Sequence, residues 1–390
     1  MANNEVNKEM PTSLEEKKVT PKEVVLERVK AAIDKLDKKE FTVYFYVIDT
    51  KGVPSGSLLY IYKMAYELKE LGYNVMMLHN ERGGDFIGIG EWAEKKYADL
   101  PHANIENQKK VAISPADFLL IPDIYTEIMS QTKNLPCKRI IIFQNDEYFT
   151  RFIPLGVNPY TYKITDAIVN TSNSQAWIEK NLSRLKTRLV RPAISSTMFR
   201  KPEKPRQLIV NFVCKDGNDT SRMVKPFFWK YPELKWVAHT QLNGLSQEVF
   251  ADALRNGAIT VWVDEEASFG YTPLEALKTG SIVIAKMPKK FADWMKTENG
   301  LTDAIIWFDD FAEIPDLIAE LVSRWMNDDI PQELYNEIDK MGKLHTREDM
   351  KADVEKVFVE GFFKERKEDF ENVLADLEKE LENKETTNEE

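Results

Sequence analysis

Residues 261–286, VWVDEEASFGYTPLEALKTGSIVIAK, decide how the chain is read. They open inside an apolar run, Ile259-Thr260-Val261-Trp262-Val263, rich in β-branched and aromatic residues, as a buried strand is. Three carboxylates follow, Asp264, Glu265 and Glu266. Next comes a small-residue turn, Ser268-Phe269-Gly270-Tyr271-Thr272-Pro273, with a proline where a helix begins. Leu274 to Lys278 continue that helix, Thr279-Gly280 stop it, and Ser281-Ile282-Val283-Ile284-Ala285 form the next buried strand. The unit is strand, acidic loop, helix, strand. It places carboxylates and a helix N-terminus at the carboxyl end of a parallel strand. Open α/β sheets bind ligands there, and helix N-terminal amides favour anionic groups such as a pyrophosphate.

The alternation continues on both sides. Upstream, residues 208–213 (LIVNFV) read as a strand, 214–222 (CKDGNDTSR) as a loop, 223–229 as a helix, 234–238 (LKWVA) as a strand and 247–256 as a helix. Downstream, 304–308 (AIIWF) read as a strand and 314–325 as an amphipathic helix. Residues 201–206 (KPEKPR), with two prolines, mark a linker. Before it, strands are expected at 41–48 (FTVYFYVI), 74–78, 116–121, 139–143 (RIIIF) and 166–170, with helices at 58–71 and 176–185. The loop at 49–57 (DTKGVPSGS) is not a dinucleotide fingerprint: Gly52 and Gly56 are its only glycines, and His79-Asn80 end the second strand where an acidic residue would stand. Strand 139–143 runs into Gln144-Asn145-Asp146-Glu147-Tyr148-Phe149, a polar and aromatic cluster where acceptor-binding or acid/base groups would sit.

The expected fold is therefore α/β, two Rossmann-like domains facing across a cleft. They span 41–200 and 207–345, joined by the 201–206 linker. Residues 1–20 are expected to be a disordered tail, and 21–40 an amphipathic helix opened by Thr20-Pro21. Charged helices at 346–382 either pack back on the domains or present a coiled-coil surface, and 383–390 form an acidic tail.

Composition bounds the function. A chain of 390 residues suits two domains, and its formal net charge of −11 disfavours nucleic acid as the main ligand. No apolar run spans a bilayer and no signal pattern opens the chain, so a cytoplasmic protein is expected, with Cys137 and Cys214 as buried free thiols. The sequence has no P-loop and no nucleophile elbow. Its four histidines, His79, His102, His239 and His345, are scattered, so no metal or other cofactor is expected.

The 261–286 stretch resembles the nucleotide-sugar motif of retaining GT-B glycosyltransferases, in which E-x-F-G and four residues lead to E-A at a helix start. Phe269, Gly270, Glu275, Ala276, Gly280, Val283 and Ala285 match it. One departure is plain: the family's first glutamate falls at Ala267, and the nearest carboxylate is Glu266. The resemblance implies a GT-B enzyme that transfers a sugar from a nucleotide-diphosphate sugar donor to a glycan, lipid-linked or protein acceptor, with retention. It implies that Glu275 holds the donor ribose, Glu266 the donor sugar, and Phe269, Gly270, Tyr271 and Thr272 surround the donor. Lys215, Arg222 and Lys225 are the basic residues available for the diphosphate, with the choice among them open. Gly56, Ser57 and Asn145 would approach phosphate or acceptor from the first domain. A catalytically silent relative that binds a glycan or serves a partner enzyme is the alternative reading. Peripheral membrane association and a homo-oligomer through the terminal helices are left open.

Overall fold

A computed structural model of the chain describes residues 21–81, 86–107, 111–298 and 300–388; the expected tail at 1–20 lies outside them. The first half begins with helix α1 (Pro21–Asp37). It continues through β1 (Thr42–Tyr46), α2 (Gly56–Glu70), β2 (Asn74–His79), α3 (Lys95–Ala98), β3 (His102–Asn104), β4 (Phe118–Pro122) and α4 (Thr126–Gln131). Then come β5 (Lys138–Phe143), α5 (Asp146–Phe152), β6 (Asp166–Val169), α6 (Ser172–Asn181) and β7 (Lys186–Leu189). These seven strands form one parallel sheet in the order β3-β2-β1-β4-β5-β6-β7.

The second half runs β8 (Gln207–Cys214), α7 (Gly217–Lys230), β9 (Ala238–Gln241), α8 (Gln247–Asn256), β10 (Gly257–Val263), α9 (Tyr271–Thr279) and β11 (Ile282–Lys286). A small hairpin, β12 (Lys296–Thr297) and β13 (Gly300–Leu301), precedes β14 (Ile305–Phe308), α10 (Ile314–Met326) and α11 (Gln332–Met341). Its five main strands are also parallel, ordered β14-β11-β10-β8-β9. Both sheets reverse strand order at one point, β1/β4 in the first and β8/β10 in the second. Such switch points open a crevice at the carboxyl ends of the strands.

Burial explains why these strands were readable. Ile140, Ile141, Ile142 and Phe143 are fully buried, as are Ile259, Thr260 and Val261, because helices cover both faces of a parallel sheet. The chain then returns through α12 (Arg347–Val354), a π-helical stretch (Glu355–Phe363) and α13 (Lys364–Asn388). Met350, Val354, Phe358 and Phe362 join the core of the first half, beside Phe41, Leu68 and Phe118. Arg347 forks onto buried Glu67 of α2 at 2.6 and 3.1 Å, which ties this return to the first domain. Helix α13 packs along α1, and its backbone continues to Asn388, past the expected start of an acidic tail.

Several elements differ from the sequence expectation, and capping accounts for most. Helix α6 starts at Ser172, four residues early, because the Thr171 hydroxyl accepts the Ser174 amide. Helix α7 starts at Gly217 because Asp216 accepts the Asn218 amide. The expected strand at 234–238 is instead a turn following a short 3-10 helix at Pro232–Leu234, and β9 starts only at its last residue, spanning Ala238–Gln241. Trp236 is exposed, so its apolar character does not mark a buried strand; β9 is a polar edge strand held by its pairing with β8.

Candidate active site

The two switch points face each other and enclose a cavity of about 460 Å³, inside the range typical of small-molecule sites. From the first half it receives the residues that follow β1, β4, β5 and β6, with the start of α2. From the second it receives Lys215 after β8 and, after β10, Asp264 and the run from Glu266 to Thr272.

Gly270 shapes that loop. Its φ of +73° is a left-handed conformation, and a Cβ there would lie 2.4 Å from the Met295 side chain. The Trp294 indole donates to the Phe269 carbonyl at 2.7 Å, and Phe269 is buried against Tyr271 and His345. The turn so fixed starts α9 with the amides of Tyr271 and Thr272 at the cavity wall. Across the cavity α2 starts at Gly56, one residue before the expected loop ends, with Ser55 as its cap. Gly56 lies so close to the Tyr271 ring that a Cβ would sit 3.2 Å from it. Two helix N-termini therefore meet at one cavity, and their combined partial charges favour an anionic group between them.

The acidic loop is gripped from the other domain. Asn145 Nδ2 donates to the Glu266 carbonyl at 2.8 Å, while Asn145 Oδ1 caps α5 by accepting the Glu147 amide at 2.9 Å. Arg151 reaches the Glu266 carboxylate at 3.3 Å, and Lys289 lies 3.9 Å from the same oxygen. Lys215 Nζ donates to the Tyr148 hydroxyl at 2.6 Å and to Asp264 at 3.1 Å. Burial works against the Lys215 charge, but the Tyr148 and Asp264 contacts hold its pKa above the ordinary lysine value. Further bonds close the rim: Ser172 to Asp293, Asn173 to the Phe291 carbonyl, Lys296 to Asn173, and Lys290 to Asp146.

Asp123, the residue that follows β4, is a floor residue of the cavity. It is 3% exposed, and its Oδ2 accepts the backbone amides of Gln144 at 2.8 Å and Asn145 at 3.0 Å. Burial pushes its pKa up to about 6, with the two amides pulling the other way. Asp123 thus holds the strand end that presents Asn145 to the acidic loop.

The structure brings together Glu266, Lys215, Phe269, Gly270, Tyr271, Thr272, Gly56, Ser57 and Asn145, all of which line the cavity. It does not bring Arg222 or Lys225 there. Because α7 starts at Gly217, these two fall one to two turns into the helix on the side facing α10. There Arg222 pairs with Asp219 at 3.1 Å and lies over the Phe311 ring at 4.3 Å. Both line a separate open groove with Trp229. Glu275 is also absent from the cavity wall. It lies one turn into α9, partly buried and within electrostatic reach of Lys63 on α2, whose ammonium donates to the Ala193 carbonyl at 2.8 Å. Burial pushes Glu275 up to about 7 and Lys63 down to about 8, each partly offset by the other's charge. Lys63 is the residue that sequence reasoning missed, although a lysine between Tyr62 and Met64 in an apolar helix is a signal of a buried partner. His239 and His345 are packing residues, bonded through Nδ1 to the Val237 and Pro192 carbonyls.

No protein-family model matches the sequence, and no curated protein matches it. Solved structures match its shape. A glycosyltransferase from Rickettsia africae superposes with a TM-score of 0.57 at 13% identity, covering 84% of this chain and 98% of that one. The pneumococcal O-GlcNAc transferase GtfA, solved with UDP and GlcNAc, gives 0.57 at 8% identity, over 82% of this chain and 99% of that one. HepE from Anabaena, solved with UDP, gives 0.54 at 10% identity, over 82% and 100%. The fold is GT-B. At these identities the likeness is one of fold.

Proposed function

We propose that the chain is a glycosyltransferase that moves a sugar from a nucleotide-diphosphate donor to a glycan, lipid-linked or protein acceptor, with retention of anomeric configuration. The observation that carries this reading is the meeting of two helix N-termini, at Gly56 and at Tyr271, in one cavity with Lys215 beside them. That combination suits a diphosphate, in the bound donor and in the departing nucleotide alike. Glu266 would then face the donor sugar. Glu275 would meet the ribose after exchanging Lys63 for it, a rearrangement that partial opening of the two halves would allow. UDP is the first nucleotide to try, since HepE and GtfA were both solved with it.

A second reading has its own support. Among the cavity-lining residues Lys215 is the one cation, against Asp123, Asp264 and Glu266, and it is already bonded to Asp264 and Tyr148. A catalytically silent GT-B protein that binds a glycan or a partner enzyme would fit that balance.

Calorimetric titration of the full chain with UDP, GDP and ADP separates the two. Binding of one nucleotide, weakened by about 1–3 kcal/mol in Lys215→Ala and in Glu275→Ala, supports the transferase. A folded protein that binds none of the three favours the silent reading.

A further inference from the structure

The carboxyl end of β5 opens on the cleft, and its amino end opens on a different hollow. There the turn after α4, the first residues of β5, the turn before β6 and the start of α13 enclose a cavity of about 360 Å³. Five cations line it, Lys133, Lys138, Arg139, Lys163 and Arg366, and the lining contains no carboxylate. In a chain of formal net charge −11 this is a local reversal of sign.

Which of these charges are already neutralised decides what the hollow can bind. Lys138 is paired with buried Asp166, which also lies 3.6 Å from Arg188. Arg139 is buried and bonded to carbonyl oxygens alone, donating to Met129 at 3.2 Å, Tyr162 at 2.5 Å and Lys163 at 3.3 Å. Arg366 likewise donates to the carbonyls of Pro115 at 2.9 Å and Pro136 at 3.2 Å and lies 4.3 Å over Phe370, with Asp369 as the carboxylate acting on it. Among the described residues the ammonium groups of Lys133 and Lys163 have no partner. Cys137 adds no negative charge, since burial pushes its thiol up to about 12.

Carbonyl dipoles orient a guanidinium without cancelling its charge. The two arginines are therefore fixed in place with their field directed into a half-enclosed hollow, and two free lysines stand at its rim. We propose that this hollow binds a phosphoryl-type oxyanion at a site separate from the cleft, with Lys133 and Lys163 as its mobile clamps. Charge-assisted bonds from lysine and arginine are the strong contacts available to such a group. The volume accommodates a pyrophosphate or phosphate ester, and the same chemistry is offered by a soluble phosphate compound or by a lipid phosphomonoester headgroup. The inference does not rest on the transferase reading.

The test is titration of the full chain with inorganic pyrophosphate, using the wild type, Lys133→Ala/Lys163→Ala and Lys215→Ala. Binding weakened about tenfold or more in the double variant, the scale of losing a hydrogen bond to a charged group, and unchanged within twofold in Lys215→Ala, supports the site. Equal affinity of wild type and double variant overturns it. So does loss confined to Lys215→Ala, which puts the anion in the cleft, and so does absence of binding altogether. Co-sedimentation with phosphatidylcholine vesicles, with and without phosphatidic acid, names the source. Retention that needs phosphatidic acid and is lost in the double variant supports the hollow as a headgroup site. Pyrophosphate binding without vesicle retention supports it as a site for a soluble phosphate.

Discussion

The cleft and the basic hollow lie at opposite ends of the same strand, β5, and they handle charge in opposite ways. At the carboxyl end, charged groups neutralise each other, across the two halves in Arg151 with Glu266 and Lys290 with Asp146, and within the second half in Lys215 with Asp264. At the amino end, two arginines are held by carbonyls, and two lysines are left without a partner among the described residues. A ligand entering the cleft must exchange contacts that already exist, so its affinity is coupled to how the two domains sit. A ligand entering the hollow displaces no ion pair. The first arrangement suits a site that opens and closes, the second a site that is always ready.

Three substitutions sharpen or break that contrast. The largest effect is expected from Arg139→Met. It leaves the carbonyls of Met129, Tyr162 and Lys163, the first two buried, without their donor, and the unfolding free energy in urea should fall by about 3 kcal/mol. Nucleotide affinity of the folded fraction should stay unchanged. A loss below about 1 kcal/mol would mean that solvent replaces the guanidinium and that the hollow is not preorganised.

Next is Asp123→Asn, read as a pH profile. A carboxyl raised from 3.8 to about 6 by folding makes the folded state bind more protons than the unfolded state. Its contribution to stability is therefore complete below about pH 4 and is lost as pH rises to about 6. The stability of Asp123→Asn minus that of the wild type should accordingly increase across this window by about 2–3 kcal/mol. A flat difference would show that Asp123 is not held in the state described, and that the cleft floor is wetter than its burial indicates.

The smallest effect is expected from Asn145→Ala. It removes the α5 cap and the bond to the Glu266 carbonyl, for about 1 kcal/mol of stability. If the domains close on a ligand, nucleotide affinity should fall as well. Affinity that does not change would detach the acidic loop from domain closure.

Much of this architecture could be read from the chain. Strands such as Arg139 to Phe143 and Ile259 to Val263 are apolar runs because parallel sheets are covered on both faces, and that signal is local. Helix starts at Ser55, Thr171 and Asp216 were legible in principle, since each is a capping residue. They were outweighed by the apolar periodicity that begins several residues later. Strand β9 was misplaced because an edge strand with Thr240 and Gln241 exposed is held by main-chain bonds rather than by an apolar pattern.

The candidate site divides in the same way. Residues 269–272 could be placed at the cleft from sequence, because a glycine turn at the end of a buried strand dictates a local geometry. Gly270, with its left-handed backbone against Met295, is the clearest case. Only the tertiary structure decided which charges meet. Arg222 and Lys225 face α10 rather than the cleft, Glu275 lies opposite Lys63, and five cations from the turn after α4, β5, the turn before β6 and α13 converge on one hollow. The reason is physical: periodicity and capping act over a few residues and are written in the chain. The partner of a charge is set by how helices rotate onto a sheet, which depends on the packing of the whole core.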